Sequence, residues 1–293
     1  MGLPDIERLT TGDGQDIAYR RYETGAPPRA VAIIASAMGV AQHFYGPFAQ
    51  WLAAEGVAVY TFDYRGTGAS RPAAGLRGYG ASIEDWWKHD CAALIDEAAA
   101  RYPDAPLFWI GHSIGGQIFG LVPNHTRVQA MLSIATGSGY YRFNAAPLRY
   151  YVPLLWLVLA PLALRSAGYF PGKRLGFVGD LPHDVMKQWR RWCLSPTYLG
   201  VESTLRATLS QVTTPITVFS MQDDEMMTLR GTRELYALYE RALVSVQRLR
   251  PRELGVPAIG HFGFFRASMQ KPLWPRALTW LDQALASPRT AAA

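Results

Sequence analysis

With 293 residues, 49% hydrophobic and 18% charged, the chain is composed like a globular protein, not a disordered one, and can bury a large core as one domain with an insertion. Its net charge of +6 is scattered, apart from small groups such as Arg248, Arg250 and Arg252, which excludes nucleic acid as the expected partner. Two cysteines, Cys91 and Cys193, are too few and too far apart for a disulfide scaffold or a zinc site.

From the N-terminus, residues 1–7 carry no basic region followed by an apolar one, so no secretory signal is expected and the location is read as cytoplasmic. Short β-rich runs follow at 17–22, 30–35, 57–63, 107–111, 128–134, 216–220 and 244–249. Longer helical patterns lie between them. Ile83, Trp86, Trp87, Cys91, Leu94, Ile95 and Ala98 recur at helical spacing and predict an amphipathic helix over 83–101. Similar helices are expected over 44–55, 229–239 and 274–286. Apolar strands alternating with helices predict an α/β fold, a mostly parallel central sheet with helices on both faces.

The alternation fails between residues 139 and 205, a stretch rich in Trp, Tyr, Leu and Pro. It reads as a helical cap inserted into a core of residues 1–138 and 206–293. Open parallel sheets bind ligands at the carboxyl ends of their strands, so an insertion there can roof a site. Within it, residues 150–164 form an apolar run that is shorter than the ~20 residues a spanning helix needs and contains Pro153 and Pro161. A lid helix, buried or facing the substrate, is expected, with shallow lipid contact as the alternative and no stable membrane insertion. The tail 287–293 is expected to fray.

Gly111-His112-Ser113-Ile114-Gly115-Gly116 follows the apolar run 107–110 and opens a helical pattern through Gln117, Ile118 and Leu121. This is the strand, sharp turn and helix context of a nucleophile elbow, G-x-S-x-G, whose small flanking residues let a strained turn close. Ser113 is therefore the candidate nucleophile, and the backbone N–H of Ile114, at a helix N-terminus, a candidate oxyanion donor. A serine hydroxyl needs a base, and the base needs an acid that fixes its tautomer. In this architecture the order is Ser, acid, His. Of six histidines only His261, in Gly260-His261-Phe262-Gly263, lies in the C-terminal third; it is the candidate base, and His112 is expected to support the elbow. The strand at 216–220 leads into Met221-Gln222-Asp223-Asp224-Glu225, where Asp224 is the candidate acid and Asp223 the alternative.

Taken with Asp63-Tyr64-Arg65-Gly66-Thr67-Gly68-Ala69-Ser70 and the late Gly-His, these motifs resemble the α/β-hydrolase superfamily over essentially the whole chain. The resemblance is to its bacterial predicted hydrolases related to serine aminopeptidase-like and lysophospholipase-like members. It implies the α/β-hydrolase fold with a helical cap, and it makes 63–70 chiefly a structural turn. The superfamily usually has His-Gly after its third strand, followed by the second oxyanion donor. Ala35-Ser36-Ala37-Met38-Gly39-Val40 departs from that pattern, and since a backbone donor needs no particular side chain, Met38 is the candidate, with Val40 as alternative.

The expected activity is hydrolysis of a carboxylic ester through an acyl-enzyme, with no cofactor and no metal required. An acyltransferase or an amidase or peptidase would use the same three residues, and a non-catalytic ligand receptor could share the fold. Aromatic residues of the cap, Tyr150, Tyr151, Trp156, Phe170 and Trp192 among them, suggest a small-molecule substrate with an apolar acyl group, or plain packing of the lid.

Overall fold

Eight strands form one sheet in the computed structural model, which describes residues 2–287; tail residues 288–293 lie outside the described residues. The strands are β1 (Glu7–Thr10), β2 (Asp16–Tyr22), β3 (Ala30–Ala35), β4 (Val57–Asp63), β5 (Leu107–His112), β6 (Val128–Ile134), β7 (Ile216–Met221) and β8 (Val244–Leu249). Their order is β1-β2-β4-β3-β5-β6-β7-β8. Only β2 runs against its neighbours; β4, β3, β5, β6, β7 and β8 pair in parallel. The sequence pattern anticipates every strand but β1, whose four residues, Glu-Arg-Leu-Thr, sit half-exposed at the sheet edge and carry no apolar run.

The central strands β3, β4 and β5 are buried along their whole length, as expected where both faces are covered. Successive side chains point to opposite faces. Val31, Ile33 and Trp109 join one apolar cluster, with Trp86, Leu94 and Ile95. Ala32, Ile34, Phe108 and Ile110 join the other, with Phe48, Leu52, Trp274 and Leu281. The first layer is the expected helix over 83–101, running as Ile83–Asp85, a π-turn Trp86–Cys91 and Ala92–Arg101. Ser82 starts it with a capping box, accepting from the Asp85 N–H while the Asp85 carboxylate accepts from the Ser82 N–H. The second layer is Gly46–Ala54 with Trp274–Ala286.

The chain leaves the sheet after Ile134 and returns at Ile216. The expected cap boundary at 205 falls inside the helix Ser203–Ser210. The apolar run behaves differently from its reading as a short, proline-broken segment. It is one helix of 20 residues, Leu148–Ala167, built from Leu148–Leu154, a π-turn Leu155–Leu159 and Ala160–Ala167. The π-turn lies between the two prolines and absorbs them. In its wider register the Ala160 N–H reaches the Leu155 carbonyl, so the next carbonyl, of Trp156, would need an N–H that Pro161 lacks. Arg190 supplies a donor instead, its Nε bonding the Trp156 oxygen.

Every parallel strand therefore delivers a loop to one sheet edge: 36–40 after β3, 64–70 after β4, Ser113 after β5, the cap after β6, Asp224 after β7 and His261 after β8.

Candidate active site

Ser113 sits on the one-residue turn between β5 and the helix Ile114–Gln117 with φ 52 and ψ −116. Positive φ is costly for a residue with a side chain, and such strain persists only where the surroundings enforce it. Three glycines do so. A Cβ on Gly111 would meet the Gly116 Cα at 2.5 Å, one on Gly115 the Ala35 carbonyl oxygen at 2.2 Å, and one on Gly116 the Thr136 Oγ1 at 2.5 Å. The Ser113 N–H bonds the Ile134 carbonyl at 3.1 Å, and its own carbonyl accepts from the N–H groups of Gly116 and Gln117. The turn is thus fastened to β6, to its helix and to the end of β3. Ile114 opens the helix, where an N–H has no intrahelical acceptor.

In the 36–40 loop, the Val40 N–H is engaged with the Ala37 carbonyl at 3.1 Å. Among the described residues the Met38 N–H has no acceptor. Of the two candidates the structure leaves Met38 free and Val40 occupied. Gly39 has φ 68, and its carbonyl accepts from the Gly179 N–H of the cap at 3.0 Å.

Asp224 and His261 meet. His261 Nδ1 lies 2.9 Å from Asp224 Oδ2, with the residues 8% and 3% exposed. The other carboxylate oxygen accepts from the Met226 and Met227 N–H groups, each at 2.8 Å. Burial pushes the Asp224 carboxyl up, but the imidazole and these two N–H groups outweigh it and hold the group below the usual carboxylate range. The neighbouring Asp223 is exposed and accepts from the Ile259 N–H at 2.8 Å; it braces the loop before His261 and does not touch the imidazole. His261 Nε2 has no partner among the described residues. In the same loop Gly260 takes φ 62, and Phe262 sets its ring edge-on at 4.8 Å.

His112 and Tyr45 link these parts. The Ala37 N–H donates to Tyr45 Oη at 2.8 Å, and Tyr45 Oη is 2.8 Å from His112 Nδ1. His112 Nε2 is 3.0 Å from the His261 carbonyl. Because Tyr45 accepts from Ala37, its single hydroxyl proton goes to His112 Nδ1. That leaves the His112 proton on Nε2, donated to His261. Burial and the neighbouring His261 ring hold the His112 imidazole neutral, with a pKa of about 3. One oriented chain of three bonds thus joins the β3 loop, the residue before Ser113 and the backbone of His261. Tyr45 carries no motif that sequence reasoning could have used.

Asp63 accepts from Gln42 and Ala69, and a Cβ on Gly68 would strike its carboxylate at 2.2 Å. Arg65 is buried between Asp90 and Asp13. The 63–70 segment is a structural turn. A groove of about 650 Å³ beside Glu84, Lys187, Gln188 and Arg191 lies on the helix His183–Leu194 and contains none of the candidate residues. Among the described residues no group of three His, Cys, Asp or Glu is placed to hold a metal ion.

Residues 26–158 match the family model described as serine aminopeptidase, S33. A monoglyceride lipase of Mus musculus is 28% identical over 40% of this chain and 38% of its own length. A monoacylglycerol lipase of Mycolicibacterium smegmatis is 34% identical over 36% of each chain. The chain thus spans under two fifths of the length of these curated relatives. Over the whole chain the fold is that of a soluble variant of monoglyceride lipase from Saccharomyces cerevisiae, solved with a substrate analog. The TM-score is 0.72 at 14% identity, covering 98% of this chain and 97% of that one. The monoacylglycerol lipase of Paleococcus ferrophilus superposes with TM-score 0.60 at 14% identity, over 92% of this chain and 99% of the other.

Proposed function

We propose that this chain, with residues 26–158 matching the S33 family model and a fold like that of monoglyceride lipase, is a serine hydrolase cleaving a carboxylic ester with an apolar acyl group, a monoacylglycerol-like lipid being the substrate class its relatives suggest. The observation that carries this reading is the buried Asp224–His261 pair, held by the His261 carbonyl against the residue next to Ser113. Ser113 attacks the ester carbonyl as His261 Nε2 takes its proton; the alcohol leaves with that proton. Water, deprotonated by the same nitrogen, then releases the acid. Asp224 keeps the His261 proton on Nδ1 and offsets the charge of the imidazolium. The N–H groups of Ile114 and Met38 receive the oxyanion.

The S33 model favours a second reading, cleavage of an amide by the same residues. A panel of nitrophenyl esters of rising acyl length beside aminoacyl anilides separates the two. Labelling by a fluorophosphonate probe, lost in Ser113→Ala, tests the nucleophile; a wild-type chain that resists the probe overturns the proposal. A cytoplasmic location is part of it, in keeping with the free buried thiols of Cys91 and Cys193.

A further inference from the structure

The outer face of the helix Leu148–Ala167 is apolar and has no partner among the described residues. Its inner stripe, Leu155, Trp156 and Ala160, is buried in the core. On the other side Tyr150, Leu154, Leu157 and Leu162 are 69%, 55%, 57% and 59% exposed, and Leu175 and Phe177 of the following loop extend the patch. Most of the exposed large hydrophobic side chains among the described residues fall in this one stretch. An apolar face of this kind marks a contact surface.

Its charge says which contact. From residue 142 to 179 the chain carries Arg142, Arg149, Arg165, Lys173 and Arg174 and no Asp or Glu. The stretch 139–205 has eight Lys and Arg against three Asp and Glu, so most of the molecule's net positive charge lies in the cap. Arg149, Arg165, Lys173 and Arg174 are exposed, and none is ion-paired to a carboxylate among the described residues. A second copy of this chain fits poorly, since a two-fold interface sets each patch against itself and brings like-charged rims together. An anionic lipid surface meets both demands. It accepts the apolar side chains below the headgroups and the cations among them.

We propose that the cap helix is an interfacial docking element that lies flat on an anionic membrane surface. It does not cross the bilayer, because crossing would strip Leu155, Trp156 and Ala160 from the core. Arg149 near its start and Arg165 near its end rest among the headgroups. The inference goes beyond the ester-hydrolase reading and does not require it.

The test is co-sedimentation of the full chain with vesicles of phosphatidylcholine alone and of phosphatidylcholine with phosphatidylglycerol. The wild type is expected to bind the anionic vesicles, more weakly as salt rises. The variant L154Q/L157Q/L162Q should lose binding to both. The variant R149Q/R165Q/K173Q/R174Q should lose the preference for phosphatidylglycerol, at least about tenfold in affinity, given roughly 1 kcal/mol per cation at such a surface. Circular dichroism and turnover of a short water-soluble ester report whether each variant is folded, and the basic variant decides if the apolar one is not. Wild-type turnover that is absent while vesicle binding follows this pattern sinks the ester reading alone. Failure of the wild type to bind anionic vesicles overturns the inference, as does binding equal in all three proteins. A vesicle-free dimer in sedimentation velocity that the apolar variant abolishes overturns it in favour of a second copy.

Discussion

At the scale of single residues, two adjacent carboxylates separate by what surrounds them. Asp224 is buried, with one oxygen on the imidazole and the other on two backbone N–H groups; Asp223 is exposed and bonds only the Ile259 N–H. Asp224→Asn leaves the shape intact but no longer holds the required His261 tautomer, and kcat should fall by roughly 10³–10⁴. Asp223→Asn should stay within a few-fold of the wild type; steady-state kinetics on one nitrophenyl ester compare the two. Tyr45→Phe removes one oxygen and orphans two buried partners, the Ala37 N–H and His112 Nδ1. The expected cost is about 1–3 kcal/mol of stability, read by calorimetry, with kcat reduced more than KM is changed. The strained turn at Ser113 and the meeting of His261 with a carboxylate of the 223–224 pair were legible because elbow, loop position and chain order each constrain them separately. The sequence left Asp223 as an alternative to Asp224, because the contacts that distinguish them, Asp224 with the imidazole and Asp223 with the Ile259 N–H, are long-range. Tyr45 was not legible, because the histidine it positions lies 67 residues away in the chain.

At the scale of elements, a cap side chain is tied to the helix that follows the elbow. Tyr198, itself at φ 49, donates its hydroxyl to Gln117 Oε1 at 2.8 Å, while Gln117 Nε2 bonds the Gly137 carbonyl. Tyr198→Phe leaves the buried Gln117 oxygen without its donor. A loss of about 1–3 kcal/mol is expected, together with faster amide hydrogen exchange across 183–205 than across β5; equal exchange rates in variant and wild type would show the tether to be idle. Central strands and the helix over 83–101 were readable because their periodicity and burial agree. The cap helix was misjudged in length because Pro153 and Pro161 read locally as breaks. A π-turn and a distant arginine supply the geometry and the hydrogen bond that make them tolerable. Single-sequence periodicity holds no record of either.

For the whole molecule, the buried His112 makes a contribution to stability that acid removes in a defined window. His112 has its ordinary value of 6.5 in the unfolded chain and about 3 when folded. Between these the unfolded chain binds a proton that the folded one refuses, so stability rises with pH across the window and is lost as pH falls from 6.5 toward 3. Asp224, whose folded value is depressed, adds stability present above its unfolded 3.8 and lost below it. Buried Asp90, raised to about 7, acts in the opposite direction over the same range, so the check is the difference in melting temperature between wild type and His112→Gln, in which the wild type should lose ground to the variant as pH falls from 6.5 to 4. An unchanged slope in the variant would assign the acid sensitivity elsewhere. The sheet as a whole was legible in the sequence, since alternating apolar runs and helices leave few topologies.

Among the contacts that join cap and core, one reaches the 36–40 loop. The Gly179 N–H of the cap bonds the Gly39 carbonyl, next to Met38, and a Cβ on either glycine would force the strands of backbone apart. The roof therefore rests on the loop proposed to receive the oxyanion. A displacement of the roof would pull directly on that loop, because the two backbones touch with no side chain between them.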